Sequence, residues 1–144
     1  MSNQQALRPF HLAIPVQHLE ENRMFYRDIL GCTEGRSSDH WVDFDFFGHQ
    51  LVIHLSEPQS KEEVPSNPVD GKAVPIPHFG VVLDMDTFWR FAKNIEEKKV
   101  TFIIAPYIRF EGKKGEQATM FFKDPSGNAL EFKAFKNLDQ LFAS

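Results

Sequence analysis

Three histidines and one glutamate occupy matching places in two halves of the chain, and all four have side chains that bind metals. His11 opens the run HLAIPV near the start, and His78 opens the run HFGVVL past the middle. His54 lies in LVIHL at the end of the first half, where Glu131 lies in NALEFK at the end of the second. Imidazole nitrogens and carboxylate oxygens are common ligands of divalent transition metals. The four positions therefore predict a metal centre if the fold brings them together.

Each of these residues also has an ordinary structural interpretation. Glu131 and Lys133 lie two residues apart on one strand face, where the two could form an exposed ion pair worth about 0–1 kcal/mol. A single strand histidine is more often a satisfied core or edge residue than a metal ligand. Repetition at equivalent positions favours the ligand interpretation for His11 and His78. For His54, a ligand and a neighbour that lines the cavity stay as equal alternatives.

The two halves repeat one order of elements, which would position these residues. Each half starts with a short β-rich run, passes into a helical pattern and ends in strand-like runs. In the second half, the spacing i, i+3, i+4, i+7 predicts a helix face formed by Phe88, Phe91, Ala92 and Ile95. We expect Asp86 to cap this helix and Gly31 to end the helix of the first half.

A hairpin is predicted after each helix, and a different kind of segment separates the two halves. Apolar residues alternate with polar ones in WVDFDF before Gly48, and DPSGN supplies the proline and glycine of a turn. Between the halves, the stretch SEPQSKEEVPSNPVDGKAVPIP carries five prolines. Neither a helix interior nor a central strand tolerates so many prolines, so this stretch is predicted to be a linker.

The predicted fold class is α+β, with two βαβββ modules that form a curved mixed sheet around a central metal cavity. The modules are predicted at residues 8–57 and 77–136, with the Pro-rich linker at 58–76. Residues 137–144 are predicted as a short C-terminal helix or tail. A pseudo-twofold arrangement of two such modules would bring the four metal-binding positions to one point.

Composition excludes several classes of function. The net charge is −4 and no basic cluster suits phosphate backbones, so we expect no nucleic-acid partner. No apolar run approaches the roughly 20 residues of a membrane span, and the first residues lack a signal-peptide pattern. Cys32 is the only cysteine, which prevents an intrachain disulfide. We expect a cytoplasmic protein with no membrane partner.

These features resemble the vicinal oxygen chelate superfamily, which includes glyoxalase I, fosfomycin and bleomycin resistance proteins, and extradiol ring-cleavage dioxygenases. The resemblance covers roughly residues 8–136. It rests on the early histidine of each module, the FYRDILG helix end, and a D-P-x-G-N-x-x-E motif that runs from Asp124 to Glu131. The resemblance implies that His11, His78 and Glu131 hold a metal whose open positions accept substrate oxygens.

Further residues bear on the choice within this superfamily. Ring-cleavage dioxygenases are similar to this chain in carrying a histidine at the position of His49, where it moves a proton. A solvated hairpin histidine is the alternative for that position. These dioxygenases also carry a tyrosine where this chain has Phe121, a departure that counts against the dioxygenase assignment, and Tyr107 is the candidate to replace the missing phenol. Glyoxalase-like members carry a carboxylate ligand at the position of His54, which dioxygenase-like members leave without a ligand.

The ligand set resembles that of extradiol dioxygenases most, which implies an Fe(II) enzyme that cleaves the ring of a small oxygen-chelating substrate. Zn, Ni, Mn and Co stay open as other metals. A glyoxalase-I-like lyase or isomerase is one alternative function, and a resistance-type protein that sequesters a small molecule is another. The resemblance also implies a homodimer. We interpret Arg109, Lys113 and Lys114 as a solvated loop in preference to a clamp for an anionic substrate.

Overall fold

The computed structural model describes residues 7–58 and 65–143 and separates the chain into two compact units, residues 1–58 and 59–144. Each unit contains one βαβββ module, so the predicted α+β fold class is confirmed. In the described part of the chain, no helix is both long and apolar enough to cross a membrane.

The first unit is a four-stranded sheet with one helix. Its elements are β1 (His11–Val16), α1 (Leu19–Met24), a π-helical turn (Phe25–Ile29), β2 (Thr33–Ser37), β3 (Trp41–Phe46) and β4 (His49–Leu55). The strand order is β1-β4-β3-β2, with β1 parallel to β4 and the other neighbours antiparallel. The first strand of the module therefore lies directly beside its last strand.

Local sequence signals in the first unit act as predicted. Gly31 has a φ of 80°, and beyond it the Cys32 N–H donates to the Tyr26 carbonyl at 2.9 Å. The left-handed conformation that glycine allows thus ends the helical segment. Along β3, Val42 and Phe44 are buried while Asp43 between them is half-buried, as expected of a strand with one face on the core.

The second unit repeats this plan and adds a hairpin in front of it. Its elements are β5 (Ser66–Val69), β6 (Lys72–Pro75), β7 (His78–Phe79), β8 (Val82–Leu83), α2 (Met85–Glu97), β9 (Phe102–Arg109), β10 (Gln117–Lys123), β11 (Ala129–Phe135) and a 3-10 turn (Leu138–Gln140). The main sheet has the order β7-β11-β10-β9, and β8 also pairs with β11. β7 and β8 together take the place that β1 has in the first unit.

Helix α2 covers one face of this sheet. Phe88 and Ile95 are fully buried, and the ring of Phe91 lies 4.7 Å from that of Phe132 on β11. Phe132 in turn stacks on Phe122 of β10 at 5.7 Å. Side chains alternate along a strand, so Glu131, which precedes Phe132 on β11, lies on the other face of the sheet.

The helix cap is Asp84, and the expectation that Asp86 caps this helix was wrong. Asp84 has an extended backbone, and its carboxylate accepts hydrogen bonds from the Thr87 N–H at 2.8 Å and the Thr87 hydroxyl at 2.7 Å. These hydrogen bonds lower the pKa of Asp84. Asp86 already lies in the first helical turn, because the chain enters the helix directly from β8.

The predicted linker, 58–76, contains the β5–β6 hairpin, while its residues 59–64 lie outside the described part of the chain. Val74 of the hairpin packs with Ile104 and Phe121 of the main sheet, and Tyr107 flanks this cluster. The prolines are compatible with these strands because the hairpin is a separate two-stranded sheet, whose open edges need no backbone donor.

Candidate metal centre

The last strand of the second unit places Glu131 on the sheet face that α2 leaves uncovered. Glu131 lies directly opposite Phe121 of β10, and Thr119 lies opposite Lys133 on the same face. We call this surface the Glu131 face. The side chain of Glu131 is 16% exposed, which is low for a carboxylate and requires compensating hydrogen bonds or a cation.

His78 supplies a second donor atom next to this carboxylate. Its Nε2 lies 3.2 Å from Glu131 Oε1, and its Nδ1 lies 2.7 Å from the carbonyl oxygen of Pro75. A carbonyl only accepts, so Nδ1 carries a hydrogen and Nε2 is the ring nitrogen that faces the carboxylate. Two lone pairs at this distance repel unless a cation or a proton lies with them. This donor pair fits a divalent metal.

Thr119 and Phe121 hold this pair from the neighbouring strand. The Thr119 hydroxyl donates to Glu131 Oε2 at 2.5 Å, which leaves Oε1 on the side of His78. The ring of Phe121 meets the His78 imidazole edge-on at 5.1 Å. Thr119 and Phe121 are both buried. The orientation of both donors is therefore set before any ligand arrives.

In the first unit, His11 has a comparable hydrogen bond. Its Nδ1 lies 2.9 Å from Gln50 Oε1 of β4, and an amide oxygen, like a carbonyl, only accepts. Nδ1 is therefore again the nitrogen that donates, and Nε2 takes no part in this contact. His11 is exposed to solvent.

Strand register changes the equivalence expected for His54. His11 pairs with Gln50 and His78 pairs with Ala129, while Glu131 lies two residues beyond Ala129. The residue two beyond Gln50 is Val52. The repeat therefore matches Glu131 with the apolar Val52, and His54 lies two residues farther, roughly 7 Å along the strand.

His49 lies on the opposite face of the first sheet from His11. It pairs with the buried Phe46, whereas its neighbour Gln50 shares the face of His11. The His49 Nδ1 accepts a hydrogen bond from the Phe10 N–H at 2.8 Å. Strand alternation directs this ring away from the face that carries His11, so the structure does not bring these two histidines together.

The Glu131 face holds a further polar cluster, in which Asp70 joins Tyr107 and Arg109. The carboxylate of Asp70, in the β5–β6 turn, accepts hydrogen bonds from the Tyr107 hydroxyl at 3.0 Å and from Arg109 Nε at 2.6 Å. The sequence offered a signal for Asp70, since Asp-Gly is a strong hairpin turn. The partners of Asp70 could not be identified, because they lie 37 and 39 residues away.

These contacts affect the acidity of both side chains. The hydrogen bonds from Arg109, and then from Tyr107, lower the pKa of the Asp70 carboxyl group. Burial raises the pKa of Tyr107, and the hydrogen bond to Asp70 raises it further. A lowered carboxyl pKa means that this contact is complete at neutral pH and is lost only as the pH falls through that pKa. The Tyr107 hydroxyl is thus engaged with the hairpin.

Within the second unit, His78 and Glu131 offer two possible metal-binding atoms, Nε2 and Oε1. Among the described residues, no group of three or more His, Cys, Asp or Glu side chains has a metal-binding arrangement. His54 is exposed on β4 of the first unit.

Comparisons with known proteins agree with this architecture. A family model described as Glyoxalase/Bleomycin resistance protein/Dioxygenase superfamily matches residues 8–132. A crystal structure of a glyoxalase/bleomycin resistance protein/dioxygenase from Alicyclobacillus acidocaldarius is 35% identical, with a TM-score of 0.77 over 94% of this chain and 96% of that one. No curated protein matches the chain.

Two more distant structures share the fold. The fosfomycin resistance protein FosX from Listeria monocytogenes is 18% identical, with a TM-score of 0.68 over 94% of this chain and 98% of that chain. Lactoylglutathione lyase from Agrobacterium tumefaciens is 17% identical, with a TM-score of 0.65 over 99% of this chain and 100% of that chain. At these identities the likeness concerns the fold alone.

Proposed function

The chain belongs to the Glyoxalase/Bleomycin resistance protein/Dioxygenase superfamily, and from this premise we propose that it is a metal-dependent enzyme. Its substrate is a small molecule that binds through two neighbouring oxygen atoms. The observation that carries the proposal is the pair formed by His78 Nε2 and Glu131 Oε1, 3.2 Å apart on one sheet face. Both donor atoms are oriented by hydrogen bonds on their far sides.

We propose His11 as the third ligand. It holds the register position in the first unit that His78 holds in the second, and the same type of hydrogen bond selects its Nε2. The proposal allows His11 to come from the same chain or from the second chain of a homodimer. Val52 has no donor atom, so the repeat provides three ligands and leaves the fourth position open.

Two histidines and one carboxylate with open positions are typical of non-haem Fe(II) oxygenases, so Fe(II) is the metal that we propose first. When bound, the metal would supply Lewis acidity to substrate oxygens. Glu131 would neutralise part of the charge of the metal, while Thr119 keeps the second oxygen of Glu131 occupied and Phe121 lies against the His78 ring as an apolar wall.

The finer proposal is an extradiol-type dioxygenase that cleaves a catechol-like ring. It is favoured by the three-ligand set, because a glyoxalase-type site would require a fourth ligand where Val52 lies. The proposal assigns no role to His49, whose ring lies on the other face of its sheet from His11. Any proton transfer therefore has to come from other groups.

Metal analysis of protein purified anaerobically, without chelators or metal-affinity steps, tests the proposal. We expect about one iron per chain in the wild type and loss of most of it in Glu131→Gln, His78→Ala and His11→Ala. His54→Ala is the matched control, since it removes an exposed histidine from the same strand face as His11, and it should keep the metal.

The outcomes separate the alternatives. Oxygen uptake with a panel of catechols by the iron-loaded protein would support the dioxygenase. Loss of Zn or Ni in His54→Ala as well as in Glu131→Gln would show a four-ligand, glyoxalase-like site instead. Absence of metal from every sample, even after reconstitution, would overturn the proposal and favour a small-molecule-binding protein.

A further inference from the structure

A groove of about 530 Å³ lies at one end of the second unit, and its wall is basic. Its lining includes three cationic side chains, Arg109, Lys114 and Lys133, two amides, Gln117 and Gln140, and the rings of Phe110 and Phe135. Within the described residues, no acidic side chain lines this groove. The chain as a whole carries a net charge of −4, so this basic surface contrasts with the rest of the protein.

Strand register places the groove on the Glu131 face. Gln117 of β10 pairs with Phe135 on one side and with Arg109 on the other. The next row toward the metal ligands is Lys133 and Thr119, and the row after that contains Glu131. Lys133 is two residues from Glu131, or roughly 7 Å along the strand. This separation is within the length of one small molecule.

Asp70 and Phe110 hold the Arg109 side chain in one orientation, and N–H groups of its guanidinium stay available to a ligand. Its Nε donates to Asp70 Oδ2 at 2.6 Å, and its guanidinium lies 4.9 Å from the centre of the Phe110 ring. Over residues 7–58 and 65–143, no other hydrogen bond of this guanidinium is found. Its terminal nitrogens can thus bind an oxyanion, and planar guanidinium suits carboxylate and phosphate.

The charge of the groove is only partly balanced. Asp70 offsets one of the three cations. In the described parts of the chain, neither Lys114 nor Lys133 has an acidic partner within ion-pair distance, although Lys133 lies over the ring of Phe135 at 5.7 Å. Two cations without an ion-pair partner in one groove attract an anion.

We propose that this groove binds an anionic group of the substrate. The substrate class is then a small molecule with two neighbouring oxygens at one end and a carboxylate or phosphate roughly 7–14 Å away at the other. The link to the substrate rests on the function proposed above, whereas the anion site itself stands on the groove. In this proposal, Arg109 and Lys114 bind the anion, in place of the solvated loop that the sequence predicts.

Titration of metal-free, isotope-labelled protein with inorganic phosphate at constant ionic strength tests this site by backbone amide shifts. We expect saturable shifts confined to residues 109–117 and 133–136. Lys114→Gln and Lys133→Gln should each weaken binding at least about threefold, and the double variant should weaken it further. Lys93→Gln, an exposed lysine on α2, is the matched control and should bind as the wild type does.

A second titration with acetate distinguishes the source of the anion. Tighter binding of phosphate would identify a phosphate-type substrate, and tighter binding of acetate a carboxylate. Shifts that never saturate with either anion, or a Lys93→Gln effect equal to that of Lys133→Gln, would overturn the anion site. The titration uses metal-free protein, so failure of the metal proposal leaves this result readable. Dispersed amide spectra of the variants show that they are folded.

Discussion

At the residue scale, hydrogen bonds to ring nitrogens decide which atoms can bind a metal. His78 and His11 both place Nδ1 against an oxygen that only accepts, the carbonyl of Pro75 in one case and the amide oxygen of Gln50 in the other. Each ring therefore presents Nε2. Such outer contacts often influence metal affinity strongly.

Thr119 gives a direct test of this outer layer. Thr119→Val keeps the shape of the side chain but removes the hydroxyl that donates to Glu131 Oε2. We expect metal affinity to fall by about 10–100-fold, because the carboxylate loses the contact that orients it. Competition with a chromogenic chelator measures the change.

Thr119→Ser is the control, since it retains the hydroxyl and should stay within a few-fold of the wild type. Equal affinities of all three proteins would show that Glu131 is not oriented by Thr119 in the metal-bound protein. Circular dichroism of each variant separates this effect from a loss of folding.

At the element scale, the split between β7 and β8 determines how closely the first strand of the second module approaches its last. A methyl group added at Gly80 would lie 1.5 Å from the carbonyl oxygen of Glu131. In the first unit, the equivalent register position holds Ala13 within the unbroken strand β1. The absent side chain at Gly80 thus permits the close packing that places Glu131 near His78.

Gly80→Ala should therefore destabilise the second unit. Because the clash is with backbone, β7 or β11 must shift, and we expect the free energy of unfolding to fall by about 1–3 kcal/mol. Chemical denaturation measures this change, and metal affinity should fall with it.

Gly35→Ala is the matched control. A methyl group at this strand glycine would lie 3.4 Å from the nearest atom, Asp43 Cβ, which is close to an ordinary contact. Unfolding free energies that are equal in the two variants would contradict the role assigned to Gly80.

At the scale of the whole molecule, the two units are versions of one plan, and within the described residues the one histidine–carboxylate pair within ion-pair distance, His78 with Glu131, lies in the second unit. The strand orders β1-β4-β3-β2 and β7-β11-β10-β9 correspond: β1 runs parallel to β4 in the first sheet, and β7 and β8 both run parallel to β11 in the second. A metal that binds only the folded chain must stabilise it, since binding shifts the folding equilibrium by mass action.

Free Fe(II) at 100 times its dissociation constant should stabilise the folded protein by about 2.7 kcal/mol. For a chain of this length, the midpoint of thermal unfolding should rise by about 5–10 °C under anaerobic conditions. Glu131→Gln should lose this rise and Glu97→Gln, an exposed glutamate of α2, should keep it. An equal rise in both variants would place the metal elsewhere.

Much of the fold could be predicted because its signals are local. The face of α2 with Phe88 and Ile95 follows from a period of 3.6 residues, and the end of the first helical segment follows from Gly31. The closing turn is similar, since Asp124 accepts hydrogen bonds from the N–H groups of Ser126 and Asn128, both within four residues. The helix cap was predicted two residues away from its true position, at Asp86 where the structure has Asp84.

The rest depended on contacts between residues far apart in the chain. The register of β1 against β4 decides which residue of the first unit corresponds to Glu131. A shift of two residues in that register would make it His54, whereas the observed register makes it Val52. Sequence spacing cannot supply that register, because loops of different length separate the strands.

Short stretches of sequence predict the repeated modules and mark His11, His78 and Glu131 as candidate ligands, because periodicity, turn chemistry and side-chain type are properties of neighbouring residues. The contact of His78 with Glu131, the hydrogen bond from Thr119 to Glu131, and the groove that Lys133 shares with Arg109 depend on the folded chain. These contacts arise only when strands pair, since pairing chooses each residue's distant partners and the face it occupies.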